Sequence, residues 1–470
     1  MSVVRHDAHG WWLADVWGDR APDQLPALDS EIDASVVIVG GGFVGMWTAL
    51  GLAKEIDPES IVVLDWEICG TGPSGRNGGF CDTLVHATPR LVERAGPEAA
   101  RRLLGASENA VDLIGSWAQT QGADIWFRKA GQLIINSGRG QEGDWNEAVD
   151  SVRALGRPDA LTPMSQAQVA DRCSSPVFGD GAFAPATATV NPARLSMALR
   201  SALLNLGVRV FEGTRALSVS SSEAGVRVTT EHGSIRARSG VLAAGAASAS
   251  FPGLRREVTL TSSHIVMTEP VPDLLASAGW TGGEAITDAR TLVHYFRTTP
   301  DGRILFGWGG GRIARGERSG DRESVDSDVI AQVTKDLARF FPGVEGARLD
   351  HAWGGPIDAS PTHLPALRRF APNWIAAFGF TGNGVGPSRL LGDAIVDEIG
   401  GRFDLSHAVR PLLVENPVLV PPEPFRQWGG SAIRRSLDRV ERAGESGRRA
   451  PRLSRLVAGI PSLLGYRIGR

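Results

Sequence analysis

The sequence predicts an α/β fold, on three observations. A short run rich in β-branched residues, Ala34–Val39, leads directly into Gly40-Gly41-Gly42-Phe43-Val44-Gly45. A helical pattern follows from about Val44 to Glu55 and is broken by Asp57-Pro58. A second apolar run, Ile61–Leu64, ends at Asp65. Strand, crossover helix and strand within about 30 residues make a βαβ unit, which places the two strands parallel in one sheet.

The remaining chain is read in order. Residues 1–33 look like an irregular leader ending near Pro22 and Pro26. Residues 98–120 carry Ala, Leu and Ile at helical spacing, and residues 125–136 alternate like a hairpin. Asn191-Pro192 predicts a helix start, with Asn191 as cap and Pro192 in the first turn. Val208–Phe211, Leu217–Val219, Val226–Thr230, Ser234–Arg238 and Val241–Ala244 read as strands, and residues 256–312 as strands and turns. Residues 324–340 read as helix. Ile375–Phe378, the loop Gly379–Gly386 and a helix from about Ser388 to Ile399 repeat the strand, glycine loop, helix order.

Bulk properties bound the function. A chain of 470 residues suits two packed domains, and 42% hydrophobic with 21% charged residues is ordinary for a globular protein. A net charge of −3 gives no global field for nucleic acid. Cys69, Cys81 and Cys173 make neither a disulfide framework nor a metal-ligand pattern, and the nine histidines show no ligand pairing, so no metal is expected. No apolar run approaches the ~20 residues that span a bilayer, and the leader lacks the pattern of a signal peptide. A cytoplasmic location is the expectation; oligomeric state is not legible.

Gly40-x-Gly42-x-x-Gly45 has the physical context of a dinucleotide site. Gly40 permits the tight turn, Gly42 lets backbone approach a pyrophosphate, and Gly45 lets helix and strand pack closely. The helix start at Phe43 and Val44 offers N–H donors and a positive dipole end. Asp65, 20 residues past Gly45, stands where a carboxylate accepts from ribose hydroxyls, with Trp66 beside it. A second cluster, Gly72-Pro73-Ser74-Gly75-Arg76-Asn77-Gly78-Gly79-Phe80, has no use in a nicotinamide enzyme. It suits the longer FAD, whose pyrophosphate and ring edge need further donors.

In order, Gly40–Gly45, Asp65, Ser74–Gly79, Asn191-Pro192-Ala193-Arg194-Leu195, Ala243-Ala244-Gly245 and Gly382-Asn383-Gly384-Val385 resemble the motifs of the D-amino-acid-oxidase/glycine-oxidase-like FAD-dependent amine oxidoreductases. Ser74–Gly79 and the stretch from Tyr295 to Gly307 look most like the gamma-glutamylputrescine oxidoreductase-type branch. The resemblance covers roughly residues 10–400. It implies a Rossmann-like FAD-binding domain with an inserted antiparallel β-sheet substrate domain. The implied FAD domain comprises residues 34–110, 190–255 and 350–404; the substrate domain comprises 111–189 and 256–349. Residues 405–470 form an Arg-rich extension. Thr214–Leu217, including Ala216, would lie near the adenine, and Gly379–Val385 at the isoalloxazine.

The resemblance also implies the reaction: hydride transfer from a carbon beside an amine to flavin N5, with O2 or another acceptor taking the electrons. The implied substrate is a small amine. Candidates above the flavin are His264, Tyr295, Arg297 and Trp353, the aromatics as a wall for a substrate cation. Some sarcosine-oxidase-like members carry a lysine on the substrate sheet, whereas no lysine lies between Lys129 and Lys335 here. Gly386 stands where those members hold a carboxylate with lysine. No His or Cys occurs in Ser74–Gly79 or Gly354–Pro361, so non-covalent FAD is expected.

Two rivals remain open. A hydroxylase-type flavoprotein would use a late Gly-Asp motif, and Gly392-Asp393 is present but falls inside the predicted helix. A non-catalytic flavoprotein subunit would use the tail, whose residues 425–470 hold eleven arginines against three acids. The tail is read as a solvated helix packed on the FAD domain, dispensable for flavin binding and tuning assembly.

Overall fold

The computed structural model describes residues 3–6, 9–18, 20–316 and 324–468. Parts of the leader, and Arg470 of the tail, lie outside these residues. Two sheets organise the molecule, one of eight strands and one of nine.

Five strands of the smaller sheet run parallel: Trp374–Phe378, Ser234–Leu242, Glu31–Val39, Ile61–Leu64 and Arg209–Phe211. Their residues are buried on both faces over Val36–Val39 and Ile61–Leu64, as a sheet covered by helices requires. The covering helices are Phe43–Leu52, Pro192–Asn205 and Val385–Ile399. Asn191 caps the second of these, its Oδ1 accepting from the N–H groups of Ala193 and Arg194, both at 3.1 Å. Ser234–Arg238 and Val241–Ala244, read separately in the sequence, are one strand. Its first half pairs antiparallel with Gly225–Thr229, and Gly240, Val241 and Leu242 pair with Trp374–Phe378.

The larger sheet is mostly antiparallel and stands over the carboxyl edge of the smaller one. Its central strands are Leu349–Ala359, Thr259–Thr268, Ile304–Trp308 and His294–Thr298. The helix Ser327–Phe340 backs it, with Asp326 as cap. Two readings are corrected. The leader is not irregular: Val3–His6 pairs parallel with Leu349–Ala359, and Gly10–Trp17 is a helix. Residues 125–136 do not form a hairpin. Only Gln132–Ile135 is a strand, pairing with Ala285–Asp288 and Gly181–Ala184, because Trp126 adopts φ +56° and breaks the alternation. Among the described residues, no helix is long and apolar enough to cross a membrane.

A buried polar triad ties the larger sheet to its helix. His294 Nδ1 lies 2.6 Å from Asp288 and Nε2 3.2 Å from Asp336. Burial alone would lower the His294 pKa, but the two carboxylates outweigh it and the net shift is upward. Burial likewise opposes Asp288 and Asp336, yet the His294 contacts hold both below the ordinary value. The histidine contribution to stability is therefore full below its ordinary pKa of 6.5 and lost as pH rises through the raised value. The carboxylate contribution is full above 3.8 and lost on acidification. Thermal melts between about pH 5 and 9 should show an alkaline decline that His294→Asn abolishes. Parallel alkaline slopes for the two proteins would contradict this ion triad.

Candidate active site

Register brings the glycine loops together. Val39 pairs with Leu64 and Leu242, and Leu64 pairs with Phe211. Gly40, Asp65, Glu212 and Ala243 therefore leave the sheet at one edge, with Gly379 following the adjoining strand. Open parallel sheets bind ligands at this carboxyl edge. Here it opens into a cavity of about 1150 Å³ between the two sheets.

Each glycine of the first loop has a distinct steric reason. Gly40 has φ +110°, and a Cβ there would lie 2.3 Å from the Ala243 carbonyl oxygen. A Cβ on Gly45 would lie 1.9 Å from the Gly40 oxygen, so the helix start can approach the strand only without a side chain. Gly42 faces the cavity. The Gly41 N–H donates to Asp65 Oδ2 at 2.8 Å, and the Phe43 N–H to Ser74 Oγ at 2.9 Å. The second cluster is thus bonded to the first.

Asp65 is half-buried at the cavity wall. Its enclosure pushes the carboxyl up to about 7, against the N–H bonds from Glu67 and Gly41. Both oxygens retain lone pairs for further donors. At the other end, the Asn383 amide donates to Thr83 O at 2.9 Å. Its buried Oδ1 has no partner among the described residues. The helix Val385–Ile399 starts beside it, placing a positive dipole end at the cavity.

All the predicted cofactor residues line this cavity except Gly45, Gly75, Gly79 and Gly379. Those four serve close packing: a Cβ would come within 2.3 Å of a backbone oxygen at Gly45, Gly75 and Gly79, and 2.7 Å from Ser360 Cβ at Gly379. The Gly379 N–H is held by Asp358 at 2.6 Å, and burial pushes that carboxyl up to about 6.

The four substrate-side candidates separate. Tyr295 lines the cavity, its ring packed on Gly78 and edge-on to Phe80. His264 does not. Thr261, Ser263 and Ile265 face the cavity, so strand alternation turns His264 to the opposite side, near Asp326. Trp353 is fully buried, and its Nε1 donates to Arg76 O at 2.8 Å. Arg297 is buried too, donating to Gly79 O at 3.0 Å and Val190 O at 2.6 Å, and burial pushes its guanidinium down to about 9. His264 is thus corrected to a buried residue behind the sheet. Trp353 and Arg297 are corrected to supports beneath the Ser74–Gly79 loop, where Trp12 also donates to Asn77 O at 2.9 Å.

Three contributors were missed. Glu212, fully buried, pairs with Arg200 at 2.7 Å and accepts from the N–H groups of Leu25 and Cys69. Its position at the end of Arg209–Phe211 was the available signal. Asp358 was missed because nothing local marks it. The tail's place at the cavity was missed: helices Phe425–Glu445 and Arg452–Leu463 wall it with residues such as Ile433, Arg434, Val457 and Ile460. It packs against the larger sheet, where buried Arg290 meets Asp438, Glu441 and Glu445. The helix expected on the FAD domain thus packs on the larger sheet as well, while Arg426 and Arg467 meet the expected FAD-domain segments at Arg255, Glu93 and Pro361. The three cysteines are buried and free, and burial pushes their thiols up. No cluster fit to hold a metal occurs among the described residues.

An acid at the second strand end, a side-chain-free turn and an unpartnered amide oxygen beside a helix start define a dinucleotide-binding oxidoreductase whose cavity fits FAD. Residues 35–398 match the family DAO, described as FAD dependent oxidoreductase, and the chain belongs to it. It is similar to gamma-glutamylputrescine oxidoreductase of Escherichia coli (strain K12), 25% identical over 386 residues, covering 80% of this chain and 87% of that one. It is also similar to the probable oxidoreductase OrdL of Haemophilus influenzae, 24% identical over 384 residues, covering 80% and 85%. Among solved structures, glycine oxidase from Geobacillus kaustophilus shares the fold with TM-score 0.67 at 19% identity, covering 82% and 99%. L-Amino acid deaminase from Proteus myxofaciens does so with TM-score 0.66 at 16% identity, covering 84% and 95%.

Asp65→Ala should weaken FAD binding about 10- to 100-fold, the cost of about 1.5–3 kcal/mol for a hydrogen bond to a charged group. Titration of apoprotein by flavin fluorescence reads this, and an unchanged affinity would remove Asp65 from the ribose site.

Proposed function

We propose that the enzyme oxidises the C–N bond of a small amine or amino-acid-like substrate, the resulting imine then hydrolysing in water. Bound FAD supplies the two-electron chemistry, its N5 being the destination of the hydride from the carbon beside nitrogen. The observation that carries this reading is continuity: the glycine-lined cradle opens, within one cavity, onto Thr261, Ser263 and Tyr295 of the larger sheet. The family and the printed names of the relatives support it.

The chain's part is to bind and orient. Ser263 Oγ donates to Trp308 O at 2.9 Å and lies 2.7 Å from the Tyr295 hydroxyl. Serine has one proton to give, so Tyr295 donates to Ser263, which leaves the phenol oxygen free to accept from a substrate N–H. Burial pushes the phenol up, so it stays neutral and acts as a hydrogen-bonding wall rather than a base. Burial, then the charge of Arg90, pushes the cavity-lining His363 down to about 3, so that imidazole is neutral as well. Arg434 donates from Nε to Gly310 O at 2.8 Å and lies 5.7 Å from the Trp308 ring. Its terminal nitrogens have no protein acceptor among the described residues and suit a substrate carboxylate or carbonyl.

Anaerobic addition of polyamines, gamma-glutamyl amines, N-methyl amino acids and D-amino acids should bleach the flavin band with one class. Readmitting air then separates an oxidase from a dehydrogenase by the speed of reoxidation. A normally bound flavin that no amine bleaches would refute the proposal. With the responding amine, Tyr295→Phe should raise KM on the order of tenfold, the loss of one hydrogen bond, while the flavin spectrum stays unchanged.

A further inference from the structure

The C-terminal helices present an outward surface that neither the fold nor the proposed reaction uses. On Arg452–Leu463, Leu456 and Leu463 are seven residues apart and share the middle of the outward face, 67% and 83% exposed. Leu453 flanks them at 71% exposed. Trp428 on the neighbouring helix is 63% exposed, and Phe425, three residues before it, is 65% exposed at the rim of the cavity. The loop carrying exposed Val418 and Leu419 joins this region through the Tyr466 hydroxyl, which donates to Leu419 O at 3.0 Å. Single exposed apolar residues are ordinary, but a helix whose outward face centres on leucines needs a partner.

The charges say which partner. Arg435, Arg439, Arg448, Arg449, Arg452 and Arg455 are exposed, and none of their side chains has a hydrogen bond or ion pair among the described residues. The three acids of the two helices, Asp438, Glu441 and Glu445, all turn inward onto Arg290, and Arg339 and Arg442 take further contacts with them. Among the described residues, the outward faces of these two helices therefore carry arginines and no unpaired carboxylate, on a chain whose net charge is −3. A second copy docking by two-fold symmetry would bring like charges together, which is unfavourable. Apolar side chains interleaved with unpaired arginines on a surface helix suit an anionic lipid surface: leucine and tryptophan enter the acyl boundary while guanidinium groups stay at the phosphates.

We propose that residues 425–468 dock this enzyme on the surface of an anionic bilayer, without crossing it. Val457 and Ile460, which neighbour these leucines on the same helix, line the cavity, so the docking face adjoins an active-site wall. The proposal stands independently of which substrate the cavity takes.

The test is sedimentation of the full-length holoenzyme with vesicles of phosphatidylcholine alone or mixed with phosphatidylglycerol. The protein should bind the mixed vesicles at least tenfold better and release as salt rises, since surface charges are screened. Leu453→Ser with Leu456→Ser and Leu463→Ser should abolish binding, the visible flavin spectrum confirming an intact fold. Replacing Arg448, Arg449, Arg452 and Arg455 by Gln should lower binding about fivefold per residue, the equivalent of ~1 kcal/mol each. Absence of binding at low salt, or equal binding to both vesicle types, overturns the proposal. So does a concentration-dependent dimer that the triple serine variant dissolves, because the leucines then cover a second copy.

Discussion

The cofactor site depends on one close approach, that of the helix Phe43–Leu52 to the end of Glu31–Val39. It is possible only because position 45 has no side chain to meet the Gly40 oxygen. From that contact follow the direction of the helix, the donors at its start and the reach of the Gly41 and Phe43 N–H groups to Asp65 and Ser74. The second glycine cluster has little regular structure beyond the one-turn helix Pro73–Arg76 and the start of the strand Phe80–Cys81, so its place is set by these bonds and by its supports.

Those supports explain why a tryptophan-rich leader precedes the first strand of the parallel sheet. Trp12 and Trp353 each give an indole N–H to a carbonyl of the Arg76–Asn77 backbone, and Arg297 gives Nη1 to Gly79 O. Three side chains distant in sequence thus hold one loop from below. A buried Arg with no carboxylate is costly, and here three backbone oxygens, of Gly79, Val190 and Thr298, with the Trp12 ring 5.4 Å from its centre, take that place. The residues selected as a substrate wall are in part the floor of the cofactor loop.

The C-terminal extension changes the picture of the cavity more than any other element. It lies beyond the family match of residues 35–398, yet its inner side closes the space over the cofactor cradle. Arg290, fully buried against Asp438, Glu441 and Glu445, anchors it to the larger sheet. Breaking a buried network of this kind leaves an uncompensated charge and is strongly destabilising, so the wall is held firmly. The same pairing turns the three acids of Phe425–Glu445 away from its outer side.

The sequence by itself determined the local units. The Gly40–Gly45 turn, Ile61–Leu64, the Asn191 cap and the helix after Gly384 were legible because each follows from neighbouring residues: glycine at a forced φ, an amide one turn from free N–H groups, or a β-branched run. Most residues that line the glycine-rich end of the cavity were legible for that reason. Only the tertiary structure decided what Tyr295, His264, Arg297 and Trp353 do. A strand's alternation shows that neighbouring residues face opposite ways, not which way the cavity lies. Nor does any local pattern announce Glu212 beneath Cys69, or the extension folded across the cavity. Those placements are contacts between distant segments, fixed when the two sheets close on each other.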